Sequence, residues 1–190
     1  MRPVKSSAIC VLTFVLTAGL PAAAENSPAI SALIPLLAPQ KGNKACYVRS
    51  YDNAHLRTHP RQRITAMKFL LGVEEYDPRP PNAKGLNDLV YYTFSMSVTR
   101  RGDRRLLRTS GDCFGGDTIS CVVDCDGGKV TLDKMPPANT LIVRLSDDGV
   151  RKFHDCDDEQ GVLVKASADD KVLRLDKAAN EACRTLEEKQ

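Results

Sequence analysis

The chain has 190 residues, with 27 basic residues against 24 acidic ones, a formal net charge of +3 and 42% hydrophobic residues. That length fits one domain with a real core. So balanced a charge gives no global field toward nucleic acid or an anionic membrane, and no nucleic-acid partner is expected.

The N-terminus reads as a secretory signal peptide over residues 1–24. Arg2 and Lys5 make a positive start, and Ala8 to Leu20 is an uncharged, mostly apolar run. Pro21 and the small residues Ala22, Ala23 and Ala24 then supply a cleavage site before Glu25. The run is shorter than the ~20 residues a permanent span needs, so no membrane span is expected after cleavage. An uncleaved anchor is the competing reading. Export predicts a periplasmic or secreted protein of 166 residues, with 25 basic and 24 acidic residues.

Six cysteines remain after cleavage: Cys46, Cys113, Cys121, Cys125, Cys156 and Cys183. An even number in an exported chain predicts a disulfide framework, here three bridges, whose pairing the sequence leaves open. A zinc site is the alternative. Only Cys121 and Cys125 are closely spaced, and no histidine pair accompanies them.

Residues 25–44 read as a helical segment and linker. Ser27 can cap, Pro28 suits the first helical position, and Ile30, Leu33, Ile34 and Leu37 fall at helical spacing. Pro35 ends or kinks that helix, leaving a short lid over one end of the core. Residues 45–190 read as one stapled β domain. Cys46 to Tyr51 and Ile64 to Leu71 are strands joined by a polar connection. The proline-rich stretch within 72–87 reads as an exposed loop. Leu89 to Arg100 alternates almost perfectly, with Val90, Tyr92, Phe94, Met96 and Val98 on the buried face. Gly102-Asp103 turns the chain back.

Further on, Ile119, Cys121, Val123 and Cys125 share one strand face. Cys121 and Cys125 then lie about 13 Å apart and cannot easily bridge each other. Asp126-Gly127-Gly128 turns into a strand with Val130 and Leu132. Leu141, Val143 and Leu145 alternate until Asp147-Asp148-Gly149 turns again. Short runs at Val150 to His154, Val162 to Lys165 and Val172 to Leu175 follow. Asp176 caps a predicted C-terminal helix whose stripe of Ala179, Ala182, Cys183 and Leu186 faces the sheet. About eight short strands with short connections predict an all-β, mainly antiparallel fold: a meandering barrel or a sandwich.

Three stretches carry polar clusters. His55 and His59 stand four apart, a spacing that could share a metal, but no third ligand is evident. A polar turn with Asp52 capping a short helix is the plainer reading. Asp155-Cys156-Asp157-Asp158-Glu159 with Gly161 resembles a calcium loop, yet Ala166 replaces its bidentate glutamate, so a solvated acidic turn is expected. Arg100, Arg101, Arg104 and Arg105 crowd a predicted hairpin tip. Charge there blunts a sheet edge, or it contacts an anionic partner such as a phosphate or an acidic face. No nucleophile-elbow, cofactor or metal motif occurs, so no catalytic residue, metal or cofactor is expected.

The stretch Cys46 to Asp52 with His55 and His59-Pro60, taken with Cys121-Val122-Val123-Asp124-Cys125-Asp126-Gly127-Gly128, resembles exported proteins of rhizobia-like alphaproteobacteria. The resemblance implies a periplasmic location in a Gram-negative bacterium and no known activity. The leading expectation is a non-enzymatic periplasmic domain that binds an anionic envelope ligand or protein. A periplasmic hydrolase with a site near His55 and His59 is one rival, and a purely structural envelope protein another.

Overall fold

The computed structural model describes residues 28–83, 85, 88–116, 118–135, 139–152 and 162–187. Residues 1–24, read above as a signal peptide, and His154 with the acidic run at 155–159, including Cys156, lie outside the described residues. Among the described residues nine strands follow one another: β1 Lys44–Ser50, β2 Ile64–Glu75, β3 Val90–Arg100, β4 Asp103–Phe114, β5 Ile119–Val123, β6 Gly128–Met135, β7 Thr140–Lys152, β8 Val162–Val164 and β9 Val172–Ala178. Two short helices, α1 Pro28–Ser31 and α2 Asn53–Thr58, and a C-terminal 3-10 helix, Asn180–Leu186, accompany them.

Every recorded strand pairing is antiparallel. β1 to β6 pair in sequence order, β6 pairs with β7, β7 with β9, and β9 returns to β1. The pairing of Cys46, Tyr47 and Val48 with Ala178, Lys177 and Asp176 closes the ring, which makes the fold an eight-stranded barrel and not a sandwich. β8 lies outside the ring on the far end of β7.

A barrel of eight strands has an interior that side chains just fill. Tyr47, Met67, Phe69, Leu71, Tyr92, Phe94, Leu132, Leu141, Leu173 and Leu175 occupy it, all essentially inaccessible. Phe69 and Phe94 stack with centroids 5.4 Å apart. A void of about 10 Å³ beside Met96, Val98 and Leu107 holds at most one water, so no lumen is open there. The buried face predicted for β3 is the face observed. Ile30 and Leu33 join the core, and Tyr92 Oη donates to the Leu37 carbonyl at 2.6 Å, so the N-terminal segment does cap one pole. Its α-helix is only four residues long; turns continue the chain toward Leu37.

Four boundaries differ from the sequence reading. β2 runs on to Glu75, so the first residues of the expected 72–87 loop are strand. Glu74 and Glu75 pair with Tyr91 and Val90, and Lys41 bonds Glu75 at 2.9 Å. Asp147-Asp148-Gly149 is not a turn between strands; β7 continues through it as a bulge. Gly149 takes φ +82° and the β6 register shifts there. Asp176 sits inside β9, where its carboxylate receives Arg49 at 3.0 Å, and it caps nothing. The helix it was expected to start begins at Asn180 without a side-chain cap. Finally, β5 ends at Val123. Cys125 has φ +58° in the turn beyond, so it leaves the core face it was expected to share with Cys121.

Two bridges have both partners described. Cys46–Cys183 pins the 3-10 helix to the outer wall of β1, where Cys46, Leu70, Cys183 and Leu186 form a second small cluster. Cys113–Cys121 joins directly opposed residues of β4 and β5. Cys125 is also disulfide-bonded.

Candidate anion-binding cleft

At the pole opposite the N-terminal lid, the connection into β2 alternates before the strand begins. Gln62 and Ile64 are buried while Arg61 and Arg63 are exposed. A buried carboxylate fixes this geometry. Asp170 is inaccessible and accepts from the backbone N–H of Arg63 at 2.9 Å, that of Ile64 at 3.0 Å, and Ser167 Oγ at 2.7 Å. With those donors it is fully engaged, as a buried carboxylate must be. The hairpin tip is held alongside, because Arg101 N–H donates to the Arg63 carbonyl at 2.7 Å.

The result is an open cleft of about 520 Å³ lined by Pro60, Arg61, Gln62, Arg63, Arg101 and Ser167. Three arginines thus line one concavity. Arg61 donates to Asp169 from its backbone N–H at 3.2 Å and from its guanidinium at a long 3.4 Å, with its side chain 74% exposed. Arg101 Nη2 donates to the carbonyls of Leu56, at 3.0 Å, and His59. The Arg63 guanidinium has no hydrogen-bond or ion-pair partner among the described residues.

The arginines expected to act together at the hairpin tip are divided by the structure. Arg100 and Arg105 both close on the one Asp103 carboxylate, at 2.7 and 3.0 Å, so these two guanidiniums are turned back into the hairpin. Bonds from Arg105, then Arg100, hold the Asp103 carboxyl far below the usual carboxylate range. Of the hairpin arginines with described side chains, Arg101 lines the cleft. Of Arg104 the structure describes the backbone, in β4.

α2 forms beside the cleft, as the plainer reading of that stretch expects. Asp52 caps it, accepting from His55 N–H at 2.7 Å. Tyr51, His55 and His59 stack in a column with centroids 4.7 and 4.1 Å apart. Gln62 Nε2 donates to the Ile64 carbonyl, which turns its Oε1 to His55 Nε2 at 2.9 Å, so that nitrogen carries hydrogen. His59 Nδ1 lies 2.9 Å from the His55 carbonyl and is a donor for the same reason. Thr58 Oγ1 is 3.1 Å from that donor and gives its own proton to the His55 carbonyl, the reverse of what a nucleophile and its base need. Among the described residues no group of three His, Cys, Asp or Glu gathers as a metal site.

Comparisons with family models, curated proteins and solved structures return no match. Geometry alone therefore speaks for the site. Sequence reasoning missed Arg61, Gln62, Arg63 and Asp170. The alternating Arg-Gln-Arg before a strand was the available signal for the first three. Nothing local marked Asp170, because the backbone donors of Arg63 and Ile64 that it holds lie more than 100 positions away.

Proposed function

We propose that this protein is an exported, periplasmic or secreted binding domain of a Gram-negative bacterium that captures an anionic group in the Arg61–Arg63–Arg101 cleft. The observation that carries the reading is Arg63, which lines a concavity with Arg61 and Arg101 and whose guanidinium has no partner among the described residues. Guanidinium forks suit phosphate and carboxylate oxygens, which they bind in bidentate pairs. The disulfides favour an oxidising compartment, and no helix among the described residues is long and apolar enough to cross a membrane.

Calorimetric titration with inorganic pyrophosphate at low and moderate salt tests the reading. Binding is expected to weaken with salt and to be lost in Arg63→Glu, while Arg105→Ala, whose guanidinium is held by Asp103 away from the cleft lining, leaves it unchanged. Equal binding by Arg63→Glu, or none by the parent protein, overturns it. The export component is checked by intact mass of protein from the periplasm, expected to begin at Glu25.

A further inference from the structure

The other pole carries a surface of opposite character. Tyr92, Cys113 and Cys121 point into the barrel, so their neighbours Tyr91, Asp112, Phe114 and Val122 point outward. Register places them side by side. Glu74 on β2 faces Tyr91 on β3, Asp112 on β4 faces Thr93, and Val122 on β5 faces Asp112. Since Tyr92 is opposite Cys113, Tyr91 lies level with Phe114. Tyr76 joins the row with its ring 4.7 Å from that of Tyr91. Tyr76, Phe114 and Val122 are 45%, 46% and 44% exposed, large values for apolar side chains grouped on one wall.

Among these apolar groups stands Asp112, half-buried and without a hydrogen-bond or ion-pair partner among the described residues. Burial, then the charge of Asp124, pushes its carboxyl above the usual range. The fold thus keeps a carboxylate where its charge is disfavoured, and a cation would relieve that. The basic residues in the same row stand off: Lys129 lies two strands away, with Val122 between, and Lys44 lies three strands away on the other side, paired with Glu187. Aromatic faces next to a carboxylate attract cations.

We propose that the outer face formed by Glu74, Tyr76, Tyr91, Asp112, Phe114 and Val122 docks a lysine- or arginine-bearing extended segment of a partner protein. The surface is open and does not close a cage around a small ammonium ion. It spans four strands, roughly 14 Å, the reach of about four extended residues. The cationic side chain lies over Tyr91 beside Asp112, and flanking apolar side chains rest on Phe114 and Val122.

The test is an amide-shift titration of the oxidised full chain with a blocked Ala-Lys-Phe-Lys-Ala pentapeptide, with tetramethylammonium chloride in parallel. Shifts are expected to centre on Glu74, Tyr91, Asp112 and Phe114. Kd should weaken about tenfold or more in Asp112→Asn and in the exposed variant Phe114→Ser, and stay unchanged in Arg63→Glu. The melting temperature of Asp112→Asn at pH 7 is expected to equal or exceed that of the parent, which separates lost binding from lost folding. Unchanged affinity in both variants, or shifts centred on the arginine cleft, overturns the proposal. Tetramethylammonium binding as tightly as the peptide overturns the assignment of a protein segment.

Discussion

The two described bridges close loops of very different length, and this makes their contributions separable. Cys46–Cys183 spans 137 positions and Cys113–Cys121 only 8. If a bridge acts by restricting the unfolded chain, the long loop is worth about 5 kcal/mol and the short one about 2.5 kcal/mol. Replacing both cysteines of each pair by alanine should therefore cost twice as much at the first site. With a urea slope of about 2 kcal/mol/M, the midpoint would fall by roughly 2.5 M for Cys46→Ala with Cys183→Ala, and by roughly 1.2 M for Cys113→Ala with Cys121→Ala. The first pair of changes also frees the 3-10 helix from the wall where Leu70 and Leu186 pack. Equilibrium urea unfolding followed by far-UV circular dichroism measures both. Equal losses, or a greater loss at Cys113–Cys121, would refute the loop-entropy account and place the stabilisation in native contacts.

Three further outcomes are expected. Asp103 titrates below its ordinary value of 3.8, so its ion pairs stabilise the fold above about pH 4 and the contribution is lost as pH falls through the folded value. The stability gap between the parent and Asp103→Asn should therefore narrow on acidification, as thermal melts from pH 7 to pH 2 will show. Burial pushes the Tyr92 phenol up to about 12, so stability should decline as pH rises above about 10. Tyr92→Phe loses the bond to Leu37 and about 1 kcal/mol, and it removes the last phenol from an alkaline absorbance titration. Gly149→Ala places a Cβ at φ +82° and 2.6 Å from the Val164 carbonyl oxygen, so it should cost roughly 1–3 kcal/mol in chemical unfolding. A silent substitution there would show that β7 bends elsewhere.

Much of the barrel was legible in the residue pattern, because strand burial has a period of two and each face is recorded in sequence. Val90 to Val98 shows it best: the buried set read from alternation is the set that fills the interior. The Asp52 cap was equally local and equally readable, and so was the turn after β3, although it falls one residue earlier than read, at Arg101-Gly102, with Asp103 already paired to Arg100. Closure was not, since whether a meander becomes a barrel or a sandwich depends on β1 meeting β9, residues about 130 positions apart. Bulges were lost for a related reason. Asp147-Asp148-Gly149 has the composition of a turn, and only pairing with neighbouring strands keeps the chain running through it. The basic cleft shows the same division. Sequence proximity grouped Arg100, Arg101, Arg104 and Arg105, but Asp103 takes Arg100 and Arg105 back into the hairpin. Arg101 instead joins Arg61 and Arg63 across a backbone bond to the Arg63 carbonyl, above the distant, buried Asp170. Periodicity and turn residues act over a few positions, so the sequence alone determined the strands and their faces. Which charges remain free for a ligand depends on every group that folding brings within reach, and only the tertiary structure decided that.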